Sequence, residues 1–70
     1  MCRNIKKLRR AESPPTDEEL HDAALQFVRK VTGYRAPSRA NQAAFDQAVD
    51  EISARTRELF EQLVTHTPSA

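Results

Sequence analysis

The chain has 70 residues, 39% of them hydrophobic and 30% charged, and its 11 Lys/Arg and 10 Asp/Glu leave a formal charge of +1. This length excludes a large multidomain enzyme and leaves a marginal core, since such a domain buries only about 60% of the surface its unfolded chain exposes. One Cys excludes an internal disulfide, and no apolar run approaches the length of a membrane span, so no membrane contact is expected and the setting should be cytoplasmic, with Cys2 reduced.

The near-zero net charge hides an asymmetry. Residues 1–39 carry nine basic and five acidic side chains, whereas residues 40–70 carry two and five, so the halves stand at +4 and −3. Arg3, Lys6, Lys7, Arg9 and Arg10 fall within eight residues with no acid between them. Such a run can bind nucleic acid or another polyanion, and it can equally be a solvated face that keeps the chain soluble. It could also lie against the acidic helix of a second copy and bias encounter.

Residues 1–12 form a basic N-terminal segment. Cys2, Ile5, Leu8 and Ala11 recur every three residues and would make one narrow apolar stripe if helical. Two to three turns do not persist alone in water, so the segment is either a docked short helix or an extended arm. Ser13-Pro14-Pro15 then breaks any helix. Thr16 reads as an N-cap, and Glu19 three residues later completes a capping box. Asp17, Glu18 and Glu19 place carboxylates at the positive end of the helix that follows.

That helix is expected over 17–32. Leu20, Ala24, Phe27, Val28 and Val31 form its apolar stripe, with Ala23 beside it. Arg29 and Lys30 oppose the negative end of the helix. Gly33 should take the left-handed conformation that ends it, with Tyr34 folding back onto Val28. Pro37 lies in the connector, and Ser38 is the expected N-cap of a second, longer helix over 39–64. Phe45, Val49, Ile52, Thr56, Leu59 and Leu63 are spaced four, three, four, three and four, a heptad-like seam that Ala48 and Phe60 widen. Glu51 and Arg55 make an i,i+4 pair on the outside. Pro68 closes a frayed tail over 65–70.

The two helices differ in length. Sixteen residues of helix span roughly 24 Å and twenty-six roughly 39 Å. A short connector makes them an antiparallel hairpin, so Leu59, Phe60, Leu63 and Val64 lie beyond the end of the first helix. Either the N-terminal segment covers them or a second chain does. Small hairpins without a staple are marginal, which favours association. The expected architecture is therefore all-α: one domain over 1–70, an antiparallel hairpin with a short N-terminal helix or arm, assembled as a homodimeric bundle. The leading functional reading is a small helical interaction module.

Candidate chemistry is sparse. Removal of Met1 would expose Cys2 as an N-terminal residue whose α-amine could serve as base for its own thiol, with Arg3, Lys6 and Lys7 favouring the thiolate. The structural alternative is a small hydrophobe on the stripe with Ile5 and Leu8. Cys2, His21, Asp22 and His66 lack metal-ligand spacing, so no metal is expected. Gly33 is the only Gly, which excludes a phosphate-cradling glycine loop, and no cofactor is implied. Arg29, Lys30, Arg35 and Arg39 could join the basic segment in one patch if it folded toward the hairpin turn. That placement conflicts with the segment covering Leu59 and Leu63 at the other end.

The opening Met1-Cys2-Arg3-Asn4-Ile5-Lys6-Lys7-Leu8 is followed by Ala23-Ala24-Leu25-Gln26-Phe27-Val28-Arg29-Lys30-Val31, Gly33-Tyr34-x-x-Pro37-Ser38-x-Ala40-Asn41, Ala44-Phe45 and Ala48-Val49. Together these closely resemble the DUF2277 family of small uncharacterised bacterial proteins, from Met1 to about Pro68. The resemblance implies a compact cytoplasmic protein whose N-terminal segment belongs to the folded unit. It implies no activity and transfers no catalytic residue.

Overall fold

The computed structural model describes residues 5–10 and 12–63. Among them the regular elements are helix α1 (Asp17–Thr32), a single 3-10 turn (Arg39–Asn41) and helix α2 (Gln42–Gln62), and α1 packs on α2. No strand occurs among the described residues.

The start of α1 follows from its capping chemistry. Thr16 sits at φ −79°, ψ 162°, outside the helix, and its hydroxyl accepts from the Glu19 N–H at 3.0 Å. Glu19 Oε1 accepts from the Thr16 N–H at 2.8 Å, so two end groups without helical partners satisfy each other. The other end closes at Gly33, whose φ of 79° lies in the left-handed region. Its N–H donates to the Arg29 carbonyl at 2.9 Å, the single bond of an αL stop. The Thr32 hydroxyl donates to the Val28 carbonyl and accepts from the Tyr34 N–H.

The second helix departs from its expected bounds at both ends. Ser38 has N-cap dihedrals but makes no side-chain cap bond; its carbonyl accepts from the Asn41 N–H, three residues on. With no side-chain cap and no acid in the first turn, this tighter bonding satisfies an N–H that an α-turn would leave free. At the far end the Leu63 N–H still donates to the Leu59 carbonyl, but Leu63 turns extended at ψ 135°. No cation sits in that last turn, and the β-branched residues that follow favour helix less. Val64 lies outside the described residues.

The core is small. Ala24, Val28, Phe45 and Val49 form one buried cluster, with Leu25, Ala48 and Ile52 partly buried against it. Leu20 is buried on the same line of α1, and Pro15 is fully buried just before that helix. Thr56, a polar member of the expected seam, is half-buried and bonds its hydroxyl to the Ile52 carbonyl at 2.6 Å.

Two members of the expected α1 stripe are not core. Phe27 is 46% exposed and Val31 63%. The buried line runs Leu20, Ala24, Val28, in steps of four. Each such step advances about 40° around the helix, so a ridge packed into the α2 groove drifts away from Phe27 and toward Leu25. The outer faces also pair differently from the expected Glu51–Arg55 bridge. Glu51 accepts from Gln47, and Arg55 lies 3.7 Å from Glu58. Exposed pairs on one helix differ little in energy, so the choice among neighbours is weakly specified.

Candidate functional site

The described part of the N-terminal segment is an irregular arm, not a helix. Consecutive cations in so short a segment repel one another and gain little from helical bonding. Ile5 and Leu8 are half-buried. Lys6, Lys7, Leu8 and Arg10 share a cleft with Glu19, Asp22 and Ala23, which places the arm beside the first half of α1.

Arg10 anchors this arrangement. Its Nη2 and Nη1 donate to the two Glu19 carboxylate oxygens at 2.9 and 3.2 Å, its Nε donates to the Ser13 hydroxyl, and Nη2 also reaches the Pro14 carbonyl. Glu19 thus completes the cap of α1 and holds the arm at once. The Arg10 hydrogen bond, followed by the Thr16 N–H, lowers the Glu19 carboxyl from 4.5 to about 2. The same Glu19 bond raises the Arg10 guanidinium above its ordinary value. Arg10 had been expected as an anion contact; here it is committed to a fork-to-fork pair within the chain. Lys6, Lys7 and Arg9 are exposed and make no ion pair among the described residues.

At the other end of the seam, Arg57 donates to Asp17 at 2.6 Å, linking α2 to the first residue of α1. Residues past Arg57 therefore extend beyond the start of α1. Leu59 is 45% and Leu63 39% exposed, while Phe60 is half-buried. The described part of the arm flanks α1 and leaves Leu59 and Leu63 uncovered.

The basic side chains do not merge into one patch among the described residues. Arg29, Lys30 and Arg35 line a separate open cleft of about 410 Å³ with Gln26, Gly33 and Tyr34. The steps from Ala23 to Lys30 place this cleft about 10 Å further along α1 than the arm's. Tyr34, expected to fold onto Val28, is 44% exposed and also borders an apolar groove with Val28, Thr32, Ala44, Phe45 and Ala48. His21 borders another groove with Asp17, Asp50 and Arg57. Among the described residues no three His, Cys, Asp or Glu side chains gather as metal ligands would. Cys2, Arg3 and His66 lie outside the described residues.

Sequence reasoning missed the double role of Glu19, because the capping-box pattern says nothing of a cation nine residues earlier. It also placed Arg29, Lys30 and Arg35 in one patch with the arm, whereas among the described residues they line a cleft of their own. The convergence of Arg29 and Lys30 with Arg35 depends on the left-handed turn at Gly33.

No curated protein and no solved structure matches the chain. Among the described residues, no helix is long and apolar enough to cross a membrane. One family, described as an uncharacterized conserved protein, matches residues 1–70, and the chain belongs to that family, DUF2277.

Proposed function

We propose that the protein is a small helical interaction module that assembles as a homodimer through Leu59 and Phe60 at the far end of α2 together with Leu63 and Val64, which follow it in the sequence. The observation that carries this reading is the exposure of Leu59 and Leu63 beyond the Asp17–Arg57 bridge, where α1 no longer covers α2. The size of the core supports it. Among the described residues five hydrophobic side chains are buried, a small core, and a second copy would bury more apolar surface without lengthening the chain. The reading carries a cytoplasmic setting, in which a lone Cys2 stays a thiol. Light scattering coupled to size exclusion should return about twice the 7.9 kDa chain mass at micromolar concentration. Leu59→Glu should halve that mass while preserving helicity. A wild-type monomer across the whole concentration series would overturn the reading.

A second reading, weak nucleic-acid or polyanion binding through the arm, is supported by the exposure of Lys6, Lys7 and Arg9 without ion pairs. It is weakened by Glu19 and Asp22 in the same cleft and by the commitment of Arg10. Cysteine chemistry at Cys2 rests on the sequence alone.

A further inference from the structure

We propose that the cleft at the hairpin turn is a binding site for a small phosphate ester carrying an aromatic ring, of the nucleoside diphosphate class. Arg29, Lys30 and Arg35 would hold the phosphates, and Tyr34 would hold the ring.

The cleft is built from two neighbouring stretches of chain. Gln26, Arg29 and Lys30 come from the last turns of α1; Gly33, Tyr34 and Arg35 come from the turn that follows. The left-handed Gly33 reverses the chain and brings Arg35 beside the two helical cations. Three cations and no carboxylate line the cleft. None of the three makes a salt bridge among the described residues. The Nε of Arg29 is shut off from solvent and has no hydrogen-bond partner, so a ligand would be met by the terminal Nη groups of that guanidinium. This contrasts with Arg10, all three of whose guanidinium nitrogens donate within the chain.

Charge and shape narrow the ligand class. The C-terminal end of a helix carries about half a negative charge, which offsets only part of three cations. The remainder, about +2.5, matches a diphosphate, and a single carboxylate would leave most of it uncompensated. Arginine forks and a lysine suit several phosphate oxygens at once. The turn's own N–H groups at Gly33 and Tyr34 are already bonded, to the Arg29 carbonyl and the Thr32 hydroxyl, so binding would fall to side chains. Tyr34 offers a partly exposed ring at the edge of the same cleft, where a flat ring can stack. A volume of about 410 Å³ lies within the range of small-ligand clefts. The Cβ of a residue at Gly33 would meet nothing within 4 Å, so the approach beside the turn is open. The site is at the opposite end of the hairpin from Leu59 and is independent of dimerisation.

The test is titration of the full-length chain with ADP, inorganic pyrophosphate and a short single-stranded oligonucleotide, followed by amide chemical shifts and calorimetry. ADP should saturate at or below about 1 mM and shift Gln26 to Arg35. Arg35→Gln lies outside both helices and should spare the fold; it should weaken ADP and pyrophosphate by about tenfold, the loss of one charged contact. Tyr34→Leu should weaken ADP several-fold and leave pyrophosphate unchanged. No saturable ADP binding at low millimolar concentration would overturn the proposal. So would shifts confined to Lys6–Arg9, or oligonucleotide binding that Arg35→Gln leaves intact while ADP fails to bind. Equal effects of Tyr34→Leu on both ligands would overturn the nucleotide class.

Discussion

Truncation of Val49 and of Phe27 should separate a buried seam from an apolar surface that only looks like one. Val49 is 2% exposed and contacts the Ala24–Val28–Phe45 cluster, whereas Phe27 is 46% exposed. Val49→Ala removes two methyl groups, worth about 0.8 kcal/mol each in transfer. The space left behind, roughly 50 Å³, adds about 1.2 kcal/mol at about 24 cal/mol per Å³. The better helix propensity of Ala returns about 0.6 kcal/mol. The net loss is about 2 kcal/mol, a large share of what so small a core supplies. Phe27→Ala removes a larger side chain but opens no closed cavity. About half of a transfer worth roughly 2 kcal/mol is lost, and propensity returns about 0.5, leaving about 0.5 kcal/mol. Urea unfolding should be followed by circular dichroism at a concentration where light scattering returns a monomer. With a slope near 1 kcal/mol/M, the Val49→Ala midpoint should fall by about 2 M and the Phe27→Ala midpoint by about 0.5 M. Equal losses in the two variants would refute the assignment of the buried line to Leu20, Ala24 and Val28.

Gly33→Ala should cost about 1 kcal/mol because φ there is 79°, and Gly33→Asn should cost less; equal urea midpoints for all three proteins would contradict the left-handed stop. Glu19 contributes stability that is present above its ordinary pKa of 4.5 and lost as pH falls through about 2, because Arg10 and the Thr16 N–H favour its charged form. Wild type and Glu19→Gln should therefore converge in stability across that interval, and a constant gap from pH 6 to pH 2 would contradict the arm anchor. Replacing Lys6, Lys7 and Arg9 by Gln, with Arg10 kept, should reduce the log–log salt slope of duplex binding by roughly 2 to 3 units if all three touch phosphates. Anisotropy between about 20 and 200 mM salt reads this, and an unchanged slope would remove the arm as a nucleic-acid contact.

Local chemistry made much of the architecture legible in the sequence. Thr16, Glu19 and Gly33 mark α1 because a capping hydroxyl, a returning carboxylate and a residue free to adopt positive φ act within a few positions of themselves. The seam of Phe45, Val49 and Ile52 was readable because helical periodicity puts residues three and four apart on one face. Where local signals were absent, the sequence was less informative: nothing near Ser38 or Leu63 forces an α-turn, and α2 is shorter than its apolar spacing suggests. The division of the α1 stripe into buried Val28 and exposed Phe27 was settled by the drift of the packed ridge around the helix, a property of two helices together. The fate of the cations was likewise tertiary. Arg10 and Arg9 are neighbours of the same type in one charged run, yet one is held in a fork by Glu19 and the other remains exposed. Charge alone cannot distinguish them; the path of the chain between Arg10 and Thr16 does, by bringing a single guanidinium within reach of the cap of α1.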